Sequence, residues 1–261
     1  MSIGEVGTDR VRSLERGLAV LSTFTCEQSE LTLSEVAAHA HLARATARRI
    51  LLTLERLGYV AREGRTFSLR ARALDVGYAY LSSLPVAEIA VPYLVEISRH
   101  VNESCSVAVL DGRDIVHVAR APVGRIVSIG PPIGTRLPAH RTAMGQIMLA
   151  ALAPADLDAH FADCRLEAPG QLSAATEQLL RKAVARVRVN GFALMDQELE
   201  VGIRSVAVPL LGSGGVANAA LSVSAQSGRM SLDQFREDVL PLILDTAALI
   251  SQDLGYRSAR S

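Results

Sequence analysis

Several arginines cluster at the start of one predicted helix, where they could contact a polyanion. Over residues 43–57 the apolar residues recur at helical spacing, which leaves a second face to polar side chains. Arg44 and Arg48 lie four residues apart on one face and could reach guanine edges or phosphates, and Thr46 is short enough to contact either. A solvated arginine face is the alternative. The candidate DNA contacts of this helix and of the hairpin after it are Arg44, Ala45, Thr46, Arg48, Arg49, Arg62 and Arg65.

Small and hydroxyl-bearing residues recur on one face of two predicted strands. Ile203 and Ser205 share a face of the first strand, and Ser222 and Ser224 share a face of the second. The opposite faces carry valine and leucine, which can fill a core. A sheet with an apolar back and a hydroxyl-lined front leaves room for a ligand and offers it hydrogen-bond donors. Serines that simply face water are the alternative.

A predicted helix that begins at Thr142 adds a second feature suited to a ligand. The free backbone N–H groups and the positive dipole end of a helix N-terminus attract a carboxylate. Arg136, His140 and Arg141 come just before this helix. The sequence therefore predicts a site for a small acid between these residues and the serine-lined strands.

The first seventy residues contain the elements that would position the arginines. Thr32 caps the second predicted helix in a capping box with Glu35, and Thr32 is also counted as a candidate DNA contact. The predicted helices are Val11–Phe24, Leu33–His39 and Ala43–Leu57, followed by a hairpin of 59–62 and 66–69 around Gly64. This order is that of a winged helix-turn-helix, whose third helix enters the major groove of DNA.

The rest of the chain predicts a linker helix over Arg70–Leu84 and then a larger α+β domain. The predicted helices of that domain are 92–100, 142–152, 154–163, 176–190 and 232–254. The predicted strands are 104–110, 115–119, 125–129, 205–211 and 216–225. We therefore expect a DNA-binding domain over 10–72, a linker helix over 73–84 and a ligand-binding domain over 85–257.

Composition narrows the class of protein. With 261 residues, 49% of them hydrophobic, both domains can bury cores, and 27 basic against 27 acidic residues exclude a uniformly basic nucleic-acid coat. The three cysteines, Cys26, Cys105 and Cys164, follow no zinc or disulfide pattern, so neither a metal nor a cofactor is expected. No secretory signal and no membrane-spanning run is evident, which predicts a cytoplasmic protein.

Two other classes of function compete with a ligand-responsive regulator. A hydrolase would need an activated nucleophile, but no serine stands in a G-x-S-x-G setting and no catalytic residues can be assembled from local spacing. His117 lies within an apolar strand and is interpreted as a satisfied structural histidine. An architectural protein whose second domain only oligomerises is the other alternative, and the serine-lined face argues weakly against it.

From Arg12 to Gly255 the chain resembles the IclR family of transcription regulators. Three stretches carry the likeness, namely VRSLERGL at 11–18, IGTRLPAHRTAMGQ at 133–146 and GIRSVAVP at 202–209. Within the family it looks most like regulators of protocatechuate, 4-hydroxybenzoate and β-ketoadipate catabolism. That second likeness lies in RATARRILLTL at 44–54, IVHVAR at 115–120 and DQELE at 196–200.

The resemblance implies a winged helix domain, a linker helix and a GAF-like effector domain, with dimers or dimers of dimers on double-stranded operator DNA. It also implies an aromatic or dicarboxylic acid as effector, held against the central sheet. Glu198 and Glu200 would repel such an acid and are interpreted as partners of Arg204 or of a ligand hydroxyl. With Arg136 from the residue analysis, the candidate effector contacts are Arg136, Thr142, Ala143, Met144, Met195, Ile203, Ser205, Ser222 and Ser224.

Overall fold

The computed structural model describes residues 10–25, 27–122, 130–167 and 174–257. The chain divides into two compact units, Met1–Tyr80 and Leu81–Ser261. The division falls within the segment 73–84 that was expected to form a linker helix, and each unit is described by itself below.

Among its described residues up to Leu69, the first unit has three helices and a small sheet. Its elements are α1 (Arg12–Leu21), β1 (Glu30–Thr32), α2 (Leu33–His39), α3 (Arg44–Arg56), β2 (Val60–Glu63) and β3 (Thr66–Leu69). β3 lies between β1 and β2 in an antiparallel sheet. The core is formed by the apolar sides of these elements and consists of Val20, Leu31, Val36, Leu51, Leu54, Val60 and Phe67. The predicted winged helix-turn-helix order is therefore present, with β1 as an added edge strand.

Local chemistry sets the ends of these elements. α1 ends at Leu21, three residues before the predicted end, and the hydroxyls of Ser22 and Thr23 donate to carbonyls of its last turn at 3.0 and 2.8 Å. The turn between α2 and α3 passes through His41 at φ +52°, and the β2–β3 hairpin turns through Gly64 at φ +58°. A glycine adopts such a conformation without steric cost, so Gly64 between two alternating segments predicts the hairpin.

The predicted linker is helical. A short 3₁₀ turn over Ala71–Ala73 leads into α4 (Leu74–Ser82). Among the described residues, no single helix is long and apolar enough to span a membrane, and the segments Ala71–Ser82 and Pro85–Val101 meet that criterion only when counted together.

The second unit is a six-stranded antiparallel sheet between helices. Its elements are α5 (Pro85–Val101), β4 (Ser104–Asp111), β5 (Asp114–Ala121), β6 (Arg136–Pro138), α6 (Ala143–Ala151), α7 (Pro154–Glu167), α8 (Ala174–Asn190), β7 (Ala193–Asp196), β8 (Ile203–Leu211), β9 (Ala217–Gln226), α9 (Leu232–Gln234) and α10 (Leu240–Asp253). The strands run in the order β6-β5-β4-β9-β8-β7. This is the α+β class that the sequence predicts.

The two faces of the sheet support two separate cores. One face packs on α5 and α10, and its core includes Val206, Val208, Leu221, Val223 and Ile243. The other face packs on α6, α7 and α8, and its core includes Ile115, Met144, Phe161, Ala207 and Ala220. The alternation along β8 and β9 thus divides their side chains as predicted, with valine and leucine on one side and small residues on the other.

Some predicted bounds are wrong. α5 begins at Pro85, not at Pro92, because Pro85 occupies the first helical turn, where the missing N–H costs nothing, while Pro92 lies on the exposed side within the helix. The predicted single helix 232–254 is interrupted by a π-helical turn over Phe235–Val239. The short edge strands β1, β6 and β7 were not predicted, and the strand expected at 125–129 lies outside the described residues.

Candidate functional sites

A cavity of about 580 Å³ lies against the α6 side of the sheet in the second unit. This volume is in the range of small-molecule sites. Eight of the nine candidate effector contacts line it, namely Thr142, Ala143, Met144, Met195, Ile203, Ser205, Ser222 and Ser224. The fold thus brings together the serine-lined strands and the N-terminus of α6, which lie more than fifty residues apart in sequence.

The serines form a hydroxyl-bearing patch on β8 and β9. Ser205 is paired with Ser224 across the two strands, and their hydroxyl oxygens lie 2.9 Å apart. Ser222 is paired with Ala207 on one side and with Ser106 of β4 on the other, and it is buried. Small side chains on these facing positions keep the space beside α6 open, which a leucine or a valine would fill.

The first turn of α6 lies at the cavity. The Thr142 hydroxyl caps the helix by accepting the N–H of Gly145 at 2.9 Å. The amides of Ala143 and Met144 belong to the first turn, where no intrahelical acceptor exists, and both residues line the cavity. The turn before the helix approaches so closely that a Cβ on Gly145 would lie 1.9 Å from the carbonyl oxygen of Ala139. Only glycine allows this approach.

Two arginines near this turn have different surroundings. Arg141 lines the cavity and donates to the Leu199 carbonyl at 3.5 Å. Arg136 does not line it, which corrects the expectation for this residue. Its Nη1 lies 2.7 Å from an oxygen of Asp111 and its Nε lies 3.2 Å from an oxygen of Asp114. The β4–β5 hairpin brings both carboxylates to β6, and they hold the guanidinium outside the cavity.

The acidic segment after β7 also differs from expectation. Arg204 pairs with Asp196 at 2.6 Å and donates to the carbonyls of Ser227 and Met230 at 2.9 and 2.8 Å. This ion pair lowers the pKa of the Asp196 carboxyl, chiefly through the hydrogen bond from Arg204. The interpretation of Glu198 and Glu200 as partners of Arg204 is therefore wrong. Both instead line the cavity as exposed side chains.

His117 is a cavity residue that the sequence interpretation missed. It lies on β5, lines the cavity and is 2% exposed. Neither ring nitrogen has a hydrogen-bond partner among the described residues. The interpretation of His117 as a structural histidine with satisfied hydrogen bonds is therefore wrong. Burial, and secondarily the charge of Arg120, lowers the pKa of His117 to about 4. A buried neutral imidazole can donate one hydrogen bond and accept another.

A register shift in the sheet follows His117 and ends the simple alternation along β5. Between Val107 and Ala108 the pairing of β4 with β5 skips one residue, so Ala119 pairs with Val107 and His117 with Ala108. The bulge brings Val118 and Ala119 to the α5 side in succession, while Ile115 and His117 face the α6 side. Such an irregularity depends on the partner strand and leaves no signal in the strand itself.

The first unit presents its candidate DNA contacts on α3 and the hairpin. Ala45 and the arginines 44, 48, 49, 62 and 65 are exposed, whereas Thr46 is half-buried. Thr46 and Arg49 line a shallow groove with residues of α1. The Arg62 guanidinium lies 5.8 Å from the ring centroid of Phe67, and its Nε donates to the Gly64 carbonyl at 3.2 Å. All five arginines are therefore accessible for phosphate or base contact.

Thr32 has a local structural role. Its hydroxyl accepts the N–H of Glu35 at 3.4 Å and donates to the Glu35 carboxylate at 2.8 Å, while the same carboxylate accepts the Thr32 N–H at 2.7 Å. This is the predicted capping box. It fixes the start of α2, the helix that precedes the turn into α3.

Comparisons with known proteins cover both units. Residues 13–64 match the IclR helix-turn-helix domain, and residues 78–252 match the C-terminal domain of the bacterial transcriptional regulator IclR. The Pca regulon regulatory protein of Pseudomonas putida is 40% identical over 237 residues, which cover 90% of this chain and 81% of that protein.

Solved structures are similar as well. A transcriptional regulator from Rhodococcus sp. RHA1 is 45% identical with a TM-score of 0.79, and the match covers 94% of this chain and 98% of the other. A double mutant of the PobR inducer-binding domain from Acinetobacter, in complex with 3-hydroxybenzoic acid, is 26% identical with a TM-score of 0.58. That match covers 64% of this chain and 98% of the other.

A winged helix-turn-helix in one unit and a ligand-sized cavity in an α+β unit define a ligand-responsive, DNA-binding transcription regulator. The chain belongs to the IclR family of bacterial transcription regulators. The family resemblance seen in the sequence is confirmed. The matched relatives are named regulators and not enzymes, which agrees with the absence of catalytic motifs in the sequence.

Proposed function

We propose that this regulator responds to a small aromatic hydroxy acid bound in the cavity of the second unit. The observation that carries the proposal is His117, a buried neutral imidazole that lines an otherwise mostly apolar cavity with both nitrogens unpartnered among the described residues. An unsatisfied buried polar group costs about 1–3 kcal/mol, and a ligand hydroxyl would recover that free energy. The cavity therefore favours a ligand that carries a hydroxyl group as well as an acid.

The acid group fits the other part of the same cavity. The first-turn amides of α6 supply donors and a positive dipole end, and Arg141 adds a full positive charge beside them. A carboxylate held there would be stabilised by the guanidinium of Arg141 and by the dipole of α6. The Ser205–Ser224 hydroxyl pair and Ser222 add further hydrogen-bonding groups along the floor.

The names of related proteins support an aromatic acid. The Pca regulon regulatory protein is a relative over most of both chains, and the PobR inducer-binding domain is solved with 3-hydroxybenzoic acid. Together, these names and the cavity favour one function: control of an aromatic acid pathway of the protocatechuate and β-ketoadipate type.

We propose that DNA is bound by α3 in the major groove, with the wing arginines Arg62 and Arg65 on the backbone. Arg44 and Arg48 are exposed on the first two turns of α3, where a recognition helix contacts base edges. Effector binding would then alter DNA affinity by linkage, because a ligand that prefers one conformation of the protein shifts the population toward it.

We further propose that the chain acts as a twofold pair or a pair of such dimers. In the single chain, α1 and α4 expose large apolar side chains to solvent. Four of them are 56–70% exposed, namely Leu14, Leu18, Leu74 and Val76. Apolar surface of this kind marks sites of protein association. A twofold pair also suits the palindromic sites that helix-turn-helix proteins bind. Sedimentation equilibrium on the purified chain tests this, and a monomeric mass at micromolar concentration would contradict it.

Calorimetric titration with 4-hydroxybenzoate, protocatechuate, β-ketoadipate and benzoate tests the effector proposal. We expect saturable binding of a hydroxylated aromatic acid and at least about tenfold weaker binding of benzoate, which cannot satisfy His117. Binding of β-ketoadipate alone would contradict an aromatic effector. If none of the four binds while the protein still shifts its promoter DNA, the regulator assignment stands and the proposed ligand class is wrong.

A further inference from the structure

Three side chains with metal-binding donors meet outside the ligand cavity. His140 lies on the 3₁₀ turn Ala139–Arg141, and His160 and Cys164 lie one turn apart on α7. The Cys164 sulfur is 3.6 Å from Nε2 of His160 and 4.0 Å from Nδ1 of His140, and all three donor atoms lie within 4.8 Å of one another. None of the three residues is among those that line the cavity.

Two of the three separations are close to those of a tetrahedral zinc site. Zinc bonds of about 2.3 Å to sulfur and about 2.0–2.1 Å to nitrogen, at a tetrahedral angle, place sulfur and nitrogen about 3.6 Å apart. The Cys164–His160 pair already has this spacing, and the Cys164–His140 pair exceeds it by a few tenths of an ångström. Small rotations of the side chains would bring the three donors around one ion.

The surroundings hold the three donors in place. His160 and Cys164 are buried and His140 is half-buried, which limits access of bulk water to the donors. The His160 ring packs edge-on against Phe161, a contact beyond the donor set that helps to hold its orientation. Arg113 and Arg141 contribute positive charge near the two imidazoles, and Asp114 and Asp163 offset it.

We propose that His140, His160 and Cys164 bind one Zn²⁺, with one thiolate and two imidazoles as ligands and the fourth position taken by water. This donor set suits a borderline-soft ion such as Zn²⁺ and not Mg²⁺ or Ca²⁺, which take oxygen ligands. The ion would join α7 to the turn that carries Arg141 and precedes α6. The proposal revises the expectation of no metal, and it does not depend on which effector the cavity binds.

Cobalt titration of the full chain tests the site directly. The reduced protein is freed of metal with a chelator and titrated with Co²⁺ alone. We expect a thiolate-to-cobalt charge-transfer band in the near ultraviolet and strong visible bands of four-coordinate cobalt, both saturating at one equivalent. One equivalent of Zn²⁺ should remove these bands, because zinc binds such a site more tightly than cobalt.

Variants assign the ligands. Cys164→Ser should lose the charge-transfer band, and His160→Gln and His140→Gln should each weaken Co²⁺ binding at least tenfold. Cys105→Ala is the matched control, since Cys105 is buried in the other core of the same unit and should leave the band unchanged. If circular dichroism shows that Cys164→Ser does not fold, the test is the weakened Co²⁺ binding of His140→Gln, because His140 is only half-buried.

Two results would overturn the proposal. One is the absence of a charge-transfer band in the wild-type protein, which would mean that the cluster is only a thiol–imidazole hydrogen-bonded contact. The other is an undiminished band in folded Cys164→Ser, or Co²⁺ binding by His140→Gln as tight as that of the wild type. Either result would place the cobalt elsewhere.

Discussion

The hydroxyl oxygens of Ser205 and Ser224 lie 2.9 Å apart across β8 and β9, at the floor of the cavity. Because one hydroxyl donates to the other, the accepting serine keeps its own proton for a further hydrogen bond. The pair therefore satisfies itself in part and still offers a donor to a ligand. Ser222, next along the same face of β9, is buried and small enough to leave the space above it open.

Ser222→Leu should close the cavity. The added side chain points toward the space beside α6, so we expect at least about a hundredfold loss of effector affinity, while overpacking costs about 1–3 kcal/mol of stability. Calorimetry measures the binding, and DNA binding reports on the fold of the rest of the chain. Ser213→Leu, in the exposed hairpin turn, is the control and should bind the effector normally. Unchanged affinity in Ser222→Leu would mean that the ligand binds elsewhere.

Arg141→Gln and Arg136→Gln form a matched pair that tests which arginine meets the acid. Arg141 lines the cavity, whereas Arg136 is held by Asp111 and Asp114 outside it. Loss of a charge-assisted hydrogen bond costs about 1.5–3 kcal/mol, so we expect Arg141→Gln to weaken acid binding about 10- to 100-fold. Arg136→Gln should change it less than about twofold. The reverse order would restore Arg136 as the effector contact.

His117 should make stability depend on pH. Its pKa is about 4 in the folded chain, compared with about 6.5 for an exposed imidazole. Between these values only the unfolded chain binds the proton, so the free energy of unfolding falls as pH falls through this window, by about 3 kcal/mol in all. Above about pH 6.5 the penalty is absent, because the imidazole is neutral in both states.

His117→Phe isolates this contribution because it removes the titrating group and keeps a ring of similar size. Urea unfolding of both proteins at several pH values between 4 and 7.5 measures it. The wild type should lose stability relative to the variant as the pH is lowered. Parallel pH curves would show that His117 is protonated in the folded chain or exposed to water.

Gly145→Ala should be strongly destabilising. Its Cβ would lie 1.9 Å from the Ala139 carbonyl oxygen, a backbone atom that can move only if the turn before α6 moves with it. We expect the free energy of unfolding of the second unit to fall by at least about 3 kcal/mol, as measured by denaturant unfolding. Gly214→Ala is the control, because its Cβ would meet nothing within 4 Å, and it should stay within about 0.5 kcal/mol of wild type. Equal effects of the two substitutions would contradict the close approach.

Arg48→Ala should weaken operator binding at least about tenfold, since Arg48 is exposed near the N-terminal end of α3. Fluorescence anisotropy at several salt concentrations separates two roles. A phosphate contact would reduce the slope of log K against log salt by about 0.9, and a base contact would relax specificity at one position. Arg56→Ala, in the last turn of α3, should cost less than about twofold. Similar losses in both variants would contradict an N-terminal recognition surface.

Much of the architecture follows from local patterns. Helical periodicity, the Thr32–Glu35 capping box and Gly64 in the hairpin predict the winged helix-turn-helix, because these signals depend on neighbours within a few residues. The alternation along β8 and β9 predicts which side chains form the core and which face the cavity. Period-2 alternation of a strand assigns its faces before the partner strands are known.

The tertiary structure decided the contacts that join distant segments. A register shift between β4 and β5 turns Ala119 away from the face that carries Ile115 and His117, and two carboxylates of the β4–β5 hairpin bind Arg136 outside the cavity. His140 and Cys164, 24 residues apart, meet because α7 packs against the turn before α6. Local sequence sets backbone preference and the pattern of burial. The contacts between segments that are distant in sequence depend on strand register and packing, which arise only when the whole unit folds.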